Sequence, residues 1–355
     1  MAPRLRRADC SGPGIRRVRR GRGFSYVDHD GERVDEPEAL ARIAELAIPP
    51  AWKDVWICPD PRGHLQATGT DAAGRKQYRY HDDWRKRRDL EKFGDMVRFA
   101  KALPRLRRQV ERDLGDCAQL DRRCVLAAAV RLLERGFFRI GSEEYAVENA
   151  SYGLATMRKE HVTIDGDGTM IFDYPAKSGQ RRHQGVIDDR VGEIVQALKR
   201  RRGGGSELLA YKTGRRWADV RSEDINEYLK EATGGDFSAK DFRTWNATVL
   251  AAVALAVSGG AHPTKTARKR AETRAINEVA QYLGNTPAVC RASYIDPRVF
   301  DAFHAGLTIR PALERVTQRM GPGELPIHQP ALERAVLDLL NEDADSAALE
   351  QLAAA

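Results

Sequence analysis

The stretch LGNTPAVCRASYIDP, residues 283–297, sets two helix starts close together. Asn285 and Thr286 stand before Pro287, and Asp296 stands before Pro297. A capping side chain followed by proline at the first helical position is a start signal. The cap accepts a free backbone N–H, and proline has none to leave unpaired. Tyr294 lies between the two starts among small and charged neighbours. A packing tyrosine belongs on an apolar face, whereas one beside a turn is placed to reach a ligand.

Working back along the chain, cationic residues recur beside similar breaks. SAKDFRTWNATV, residues 238–249, opens a long helix ending near Val257, with Ser238 and Asp241 spaced as a capping box. Arg243 falls in its first turn, ahead of the apolar run VLAAVALAV at 249–257. That run is too short to span a bilayer and reads as a buried helix. An arginine entering it must find an acidic partner or an anion. Residues 161–187 read as a three-stranded meander with turns at 165–168 and 176–179, and Lys177 sits in the second turn. RRCVLAAAVRLLERG, residues 122–136, puts Val125, Leu126, Ala129, Val130 and Leu133 on one helical face and ends at Gly136. Arg139 follows that stop. Taken singly, each cation reads as an ordinary solvated charge.

The N-terminal part differs. Residues 23–80 read as β-rich, with an Asp-Gly hairpin turn at 30–31 and a short helix closed by Pro49 and Pro50. Two short strands follow within 54–81, then a charged helix from Asp83 to about Leu120 that bridges two domains. RRRGGGSE at 200–207 is a basic loop, and Ser222 caps a helix over 223–232. The expected division is a basic arm at 1–22, a β-rich domain at 23–83, a mainly helical domain at 84–310 containing the small sheet, and a partly helical tail at 311–355. The fold class is α+β.

Composition narrows the chemistry. The 355 residues carry a formal charge of +8 and a pI near 9.3, which suits a polyanionic partner. Five cysteines at 10, 58, 117, 124 and 290 form no C-x-x-C pair. Neither a zinc ribbon nor a disulfide framework is implied, and a reducing compartment is expected. The Arg-rich N-terminus has no apolar core and is no secretory signal. No G-x-x-x-x-G-K-[ST] and no H-E-x-x-H occurs. The D-x-D triplets at 28–30, 165–167 and 343–345 are the nearest approach to a magnesium site, but two of them sit in expected hairpin turns. If the protein handles phosphates, cationic side chains are expected to do it, with no metal and no cofactor.

In order along the chain, RGFFRIGSEEYAVENASYGLATMRKEHV (135–162), YPAKSGQRRHQGVI (174–187), SAKDFRTWNATV (238–249) and LGNTPAVCRASYIDP (283–297) resemble the type IB DNA topoisomerases. The likeness is to the short bacterial group, which is similar to the poxvirus enzyme. IPPAWKDVWICPDPRGHLQATGTDAAGRKQYRYH (48–81) resembles that family's small DNA-clamping domain. The resemblance covers roughly residues 20–310. It implies Tyr294 as nucleophile, Arg139 and Arg243 as transition-state cations, and Lys177 as general acid. It also implies Asn285 as a phosphate contact where the poxvirus and nuclear enzymes carry histidine. Gln77, Tyr78, Tyr80 and Tyr145 are implied as DNA contacts, although the Y-x-Y alternation of Tyr78 and Tyr80 equally permits a half-buried strand. Ser142 stands where the poxvirus enzyme has a base-contacting lysine. The implied protein is a monomeric, C-shaped clamp on double-stranded DNA in the bacterial cytoplasm, associated with the nucleoid. It needs no nucleotide cofactor and meets no membrane.

Two other readings compete. A tyrosine site-specific recombinase shares the Arg, Lys and Tyr chemistry, but usually carries histidine three residues before the second arginine, where this chain has Lys240. Its N-terminal domain is a helical bundle, whereas residues 23–80 read as β. A non-catalytic basic DNA-binding protein would explain the charge but not the set of five chemical positions in family order.

Overall fold

The computed structural model describes residues 4–115, 117, 119–259, 264–319, 329–343 and 346–351. Internal contacts divide the chain into two compact units, one up to Gly94 and one from Asp95 onward.

The first unit is an antiparallel sheet of β1 (Ile15–Arg20), β2 (Gly23–Val27), β3 (Lys53–Ile57), β4 (Leu65–Thr70) and β5 (Lys76–Tyr80), in the order β2-β1-β3-β4-β5. α1 (Pro37–Glu45) follows β2 and lends Ile43 to a core with Ile15, Val34, Val55, Ile57 and Ala67. The basic arm expected at 1–22 is therefore corrected, because its IRRVRR segment is a strand, with Arg16–Arg20 paired to β2 and Ile15 to β3. Ile15 is buried, and the Arg17 guanidinium donates to the carbonyls of Ile48, Pro49 and Trp52 at 3.3, 3.1 and 2.7 Å. Arg17 is thus spent on structure. The Asp30-Gly31 turn forms, but it returns only to a single bridge between Val27 and Arg33. Residues 54–81 hold three strands, not two. The added reversal is an Asx turn in which Asp71 Oδ1 accepts from the backbone of Ala73 and Arg75, each at 2.9 Å.

α2 (Asp82–Gly115) runs through the position, between Gly94 and Asp95, at which the two units divide. The second unit continues with α3 (Arg122–Gly136), α4 (Glu143–Asn149), β6 (Val162–Ile164), β7 (Met170–Pro175) and β8 (Arg181–Val186). These strands form the three-stranded meander β6-β7-β8. α5 (Asp189–Arg200) leads to a hairpin the sequence reading missed, β9 (Ala210–Thr213) and β10 (Arg216–Asp219), turned at Gly214 with φ +60°. α6 (Ser222–Thr233) starts at Ser222, not after it, because Asp224 accepts from the Arg221 N–H. α7 (Ala239–Gly259) is the central helix, with Phe242 and Trp245 almost wholly buried. Its start is the expected one, since Asp241 Oδ2 accepts from both N and Oγ of Ser238 at 2.8 and 3.1 Å. Then come α8 (Lys265–Leu283), α9 (Pro287–Ser293) and α10 (Pro297–His304), the last two begun by Thr286 and Asp296 as caps.

The described residues after α10 are part of this core. β11 (Leu307–Thr308) pairs with β12 (Glu350–Gln351), and between them lie α11 (Arg310–Thr317) and α12 (Pro330–Leu340). Leu332, Ala335 and Val336 of α12 are fully buried. Glu333 receives a two-pronged pair from Arg107 at 2.6 and 2.7 Å, and the same guanidinium reaches Glu134 at 2.6 Å. The boundary expected at 310 therefore does not separate a domain. Cys117 and Cys124 are joined by a disulfide between the end of α2 and the start of α3, against the expectation of unpaired cysteines. Among the described residues, no helix is long and apolar enough to cross a membrane.

Candidate active site

The last carbonyls of a helix have no partners within it and sit at the negative end of its dipole. α8 ends this way at Leu283, with Gly284 in the left-handed conformation at φ +60°. Three guanidiniums meet these carbonyls. Arg182 donates to Gln281 and Tyr282 at 3.1 and 2.7 Å, Arg243 to Leu283 at 2.9 Å, and Arg139 to Gly284 at 2.9 Å.

Local sequence explains how each cation arrives. α3 stops with Phe137 as its left-handed cap residue. Gly136, one position earlier, is needed for space, since a Cβ there would lie 2.1 Å from the Phe138 ring. The Phe138 ring packs edge-on against Phe172 with centroids 4.7 Å apart, and the chain then delivers Arg139. Arg243 is only 4% exposed. Among the described residues its partners are main-chain carbonyls and not an acidic side chain. It donates to Phe137 O at 2.6 Å and to Leu283 O. Two hydrogen bonds from a charged donor, about 1.5–3 kcal/mol each, with up to ~2 kcal/mol from the helix dipole, offset a burial cost of several kcal/mol. Burial lowers the Arg243 pKa from the ordinary arginine value, and Tyr294 opposes that shift.

Asn285 and Tyr294 complete the cluster. Asn285 Oδ1 accepts from Arg139, which fixes the orientation of the amide. Its Nδ2, and Nε of Arg243, are buried donors without an acceptor among the described residues. Tyr294 caps α9, with its N–H on Cys290 O at 3.0 Å and its half-buried ring 5.2 Å from the Arg243 guanidinium carbon. Thr248 Oγ1 accepts from the Asp296 N–H at 3.2 Å, which ties the segment after the tyrosine to α7. Four of the five expected chemical residues thus gather at the end of α8 in two contacting pairs, Arg139 with Asn285 and Arg243 with Tyr294.

Lys177 is the fifth. It lies exposed in the turn between β7 and β8 and forms no hydrogen bond or ion pair with a described residue. Tyr78 and Tyr80 point outward from the edge strand β5, 46% and 39% exposed, with rings stacked at 6.1 Å. The segment is a strand whose residues alternate between exposed and half-buried. Gln77 faces the other way and donates to Asp71 at 2.9 Å. Tyr145 belongs to α4, and its side chain lies outside the described residues. The sequence reading passed over Arg182 and its neighbour Gln184. The signal was there, because alternation along RRHQGV places both on one face of β8, half-buried between exposed neighbours.

Among the described residues, Asp28, His29 and Asp30 form the one group spaced to hold a metal ion. Asp28 Oδ1 already accepts from the backbone of Asp30 and Glu32 at 3.0 and 2.9 Å, so the cluster is accounted for as a turn. The 343–345 triplet lies partly outside the described residues.

Comparison with known proteins adds to the geometry. Residues 81–308 match the family profile described as the eukaryotic DNA topoisomerase I catalytic core. Residues 23–71 match the bacterial DNA topoisomerase IB N-terminal domain. The chain is 32% identical over 289 residues to DNA topoisomerase 1B of Acanthamoeba polyphaga mimivirus, covering 79% of this chain and 85% of that protein. DNA topoisomerase 1 of Candidozyma auris is 28% identical over 162 residues, 45% of this chain and 20% of that protein. The Schizosaccharomyces pombe protein of the same name is 26% identical over 168 residues, 47% and 19%.

Proposed function

The chain belongs to the type IB DNA topoisomerases, and on that premise we propose that Tyr294 is the residue through which it cuts and reseals one strand of duplex DNA. Enzymes of this kind relax supercoiled DNA by transient cleavage of one strand, swivelling and religation. The reading of the individual residues rests on one observation above all. Arg139, Arg243, Asn285 and Tyr294 converge, and two buried donors there lack an acceptor among the described residues. An unmet buried donor costs about 1–3 kcal/mol, a cost a phosphate oxygen would remove.

The phenol oxygen of Tyr294 attacks phosphorus, and the bond from phosphorus to the 5′-oxygen breaks. A free phenol has a pKa of about 10 and is a weak nucleophile. Its proton passes to solvent water as the bond to phosphorus forms. Negative charge builds on the non-bridging oxygens, where Arg139 and Arg243 supply charged N–H donors, Arg243 through the Nε that its two carbonyl bonds leave free. Asn285 adds a neutral donor. Lys177 protonates the departing 5′-oxygen. The 3′-phosphotyrosine keeps the energy of the broken bond, so the 5′-hydroxyl reverses the step without ATP.

We place Tyr78 and Tyr80 on DNA, where an outward aromatic edge suits phosphate and base contact. The protein works on this reading as a monomer in the bacterial cytoplasm. On the same reading its helical unit is of the tyrosine-recombinase type, and its N-terminal unit is a five-stranded sheet.

The test is relaxation of supercoiled plasmid of either sign in EDTA without ATP. Activity is expected, and none under those conditions defeats the metal-free, ATP-free reading. Tyr294→Phe should lose both relaxation and the covalent protein–DNA adduct while still retarding DNA in a gel. An adduct that persists moves the nucleophile elsewhere.

A further inference from the structure

We propose that Arg182, braced by Gln184, is a positioning residue that holds the Lys177 hairpin against the phosphate site. The proposal rests on the assignment of Lys177 as general acid. It concerns how an exposed turn lysine reaches a fixed place relative to four residues it does not touch.

The hairpin β7–β8 is fastened on two sides. On the β7 side, Pro175 O accepts from Tyr152 N at 2.9 Å. The chain beyond Tyr152 pairs with the Arg139 segment, Leu154 N on Arg139 O at 2.8 Å and Ala155 N on Ile140 O at 2.7 Å. That fastening is made of backbone, and side-chain substitution leaves it in place.

On the β8 side the fastening is Arg182. It lies five positions after Lys177 and opposite Tyr174 in the strand register. Its two terminal nitrogens take the carbonyls of Gln281 and Tyr282, four and three positions before Asn285. Nη2 also donates to Gln184 Oε1 at 2.8 Å, and Gln184 Nε2 donates to Gly136 O at 2.6 Å. Two adjacent inward residues of one strand therefore link the ends of α8 and α3, the helices that precede Asn285 and Arg139. Gly284 shows how close the approach is, since a Cβ there would stand 2.9 Å from Arg182 Nη1. Burial of the guanidinium, which lowers its pKa, agrees with a structural post and not a mobile surface charge.

If Arg182 acts through Lys177, its loss should damage leaving-group protonation in particular. A sulfur in place of the bridging 5′-oxygen departs without a proton and separates that step from the rest. The experiment is single-turnover cleavage of duplexes with 5′-oxygen or 5′-sulfur at the scissile phosphate. The proteins are wild type, Lys177→Ala, Arg182→Ala, Gln184→Leu and the double variant Lys177→Ala/Arg182→Ala. Misplacement of about 1 Å is enough to cost up to ~100-fold, so Arg182→Ala should slow cleavage of the oxygen substrate roughly tenfold or more. The deficit should shrink to within about threefold on sulfur, and the double variant should be no slower than Lys177→Ala alone. Gln184→Leu should show a smaller loss with the same sulfur rescue, and it carries the test if Arg182→Ala does not fold. Equal slowing on both substrates, or multiplied losses in the double variant, overturns the proposal. Failure of sulfur to rescue Lys177→Ala removes the general-acid assignment and this proposal with it. Rescue of Lys177→Ala without rescue of Arg182→Ala removes this proposal alone.

Discussion

Arg243 is the residue on which most of the site converges. It touches the end of α3 through Phe137 O, the end of α8 through Leu283 O, and the Tyr294 ring. A lysine has one compact charge and no planar fork, so it cannot hold both carbonyls in the same geometry. Arg243→Lys should lower single-turnover cleavage by roughly 100-fold or more at saturating DNA, the scale of a lost transition-state donor. Cleavage within a few-fold of wild type would show that the second fork prong is dispensable. The residue types of the site were legible because turns flank them, as with Asn285 before Pro287 and Lys177 in AKSG. What satisfies Arg243 was not legible. Sequence reasoning asks for an acidic side chain, and the acceptors are main-chain carbonyls from 106 and 40 positions away.

At the scale of elements, helix starts were the most readable feature and the N- and C-terminal segments the least. Caps act within four residues, so Thr286, Asp296 and the Ser238–Asp241 pair declare themselves locally. IRRVRR looked like a solvated basic run because four of its six residues are arginine, and only pairing with β2 makes it a strand. The role of α12 depends on Arg107, 226 positions away, and no local pattern carries that information. Removing one partner of a buried pair leaves an uncompensated charge and costs about 3–5 kcal/mol. Arg107 keeps Glu134, so Glu333→Gln should cost somewhat less, on the order of 2–3 kcal/mol, and lower the thermal midpoint by roughly 5–10 °C. A midpoint within about 1 °C of wild type would mean that α12 is held by its apolar face alone.

For the whole molecule the charge of +8 predicts how binding and chemistry separate. Association with DNA releases counter-ions, so affinity should fall steeply from 50 to 200 mM salt, by ~10³-fold or more if six or so phosphates are neutralised. Single-turnover cleavage at saturating DNA should change little over that range, because Arg243 and the carbonyls around it are shielded from solvent ions. A cleavage rate that follows affinity downward would place the reacting cations in contact with bulk salt. The three guanidiniums at the end of α8 also bear on inheritance. Their counter-charge lies in the main chain, and every residue type supplies the same carbonyl, although proline would remove an N–H and kink the helix that aims it. Substitutions along α8 can accumulate without disturbing the electrostatics of the site. Chain breaks and prolines near 281–284 cannot, and Gly284, held at φ +60° beside Arg182, is where that tolerance ends.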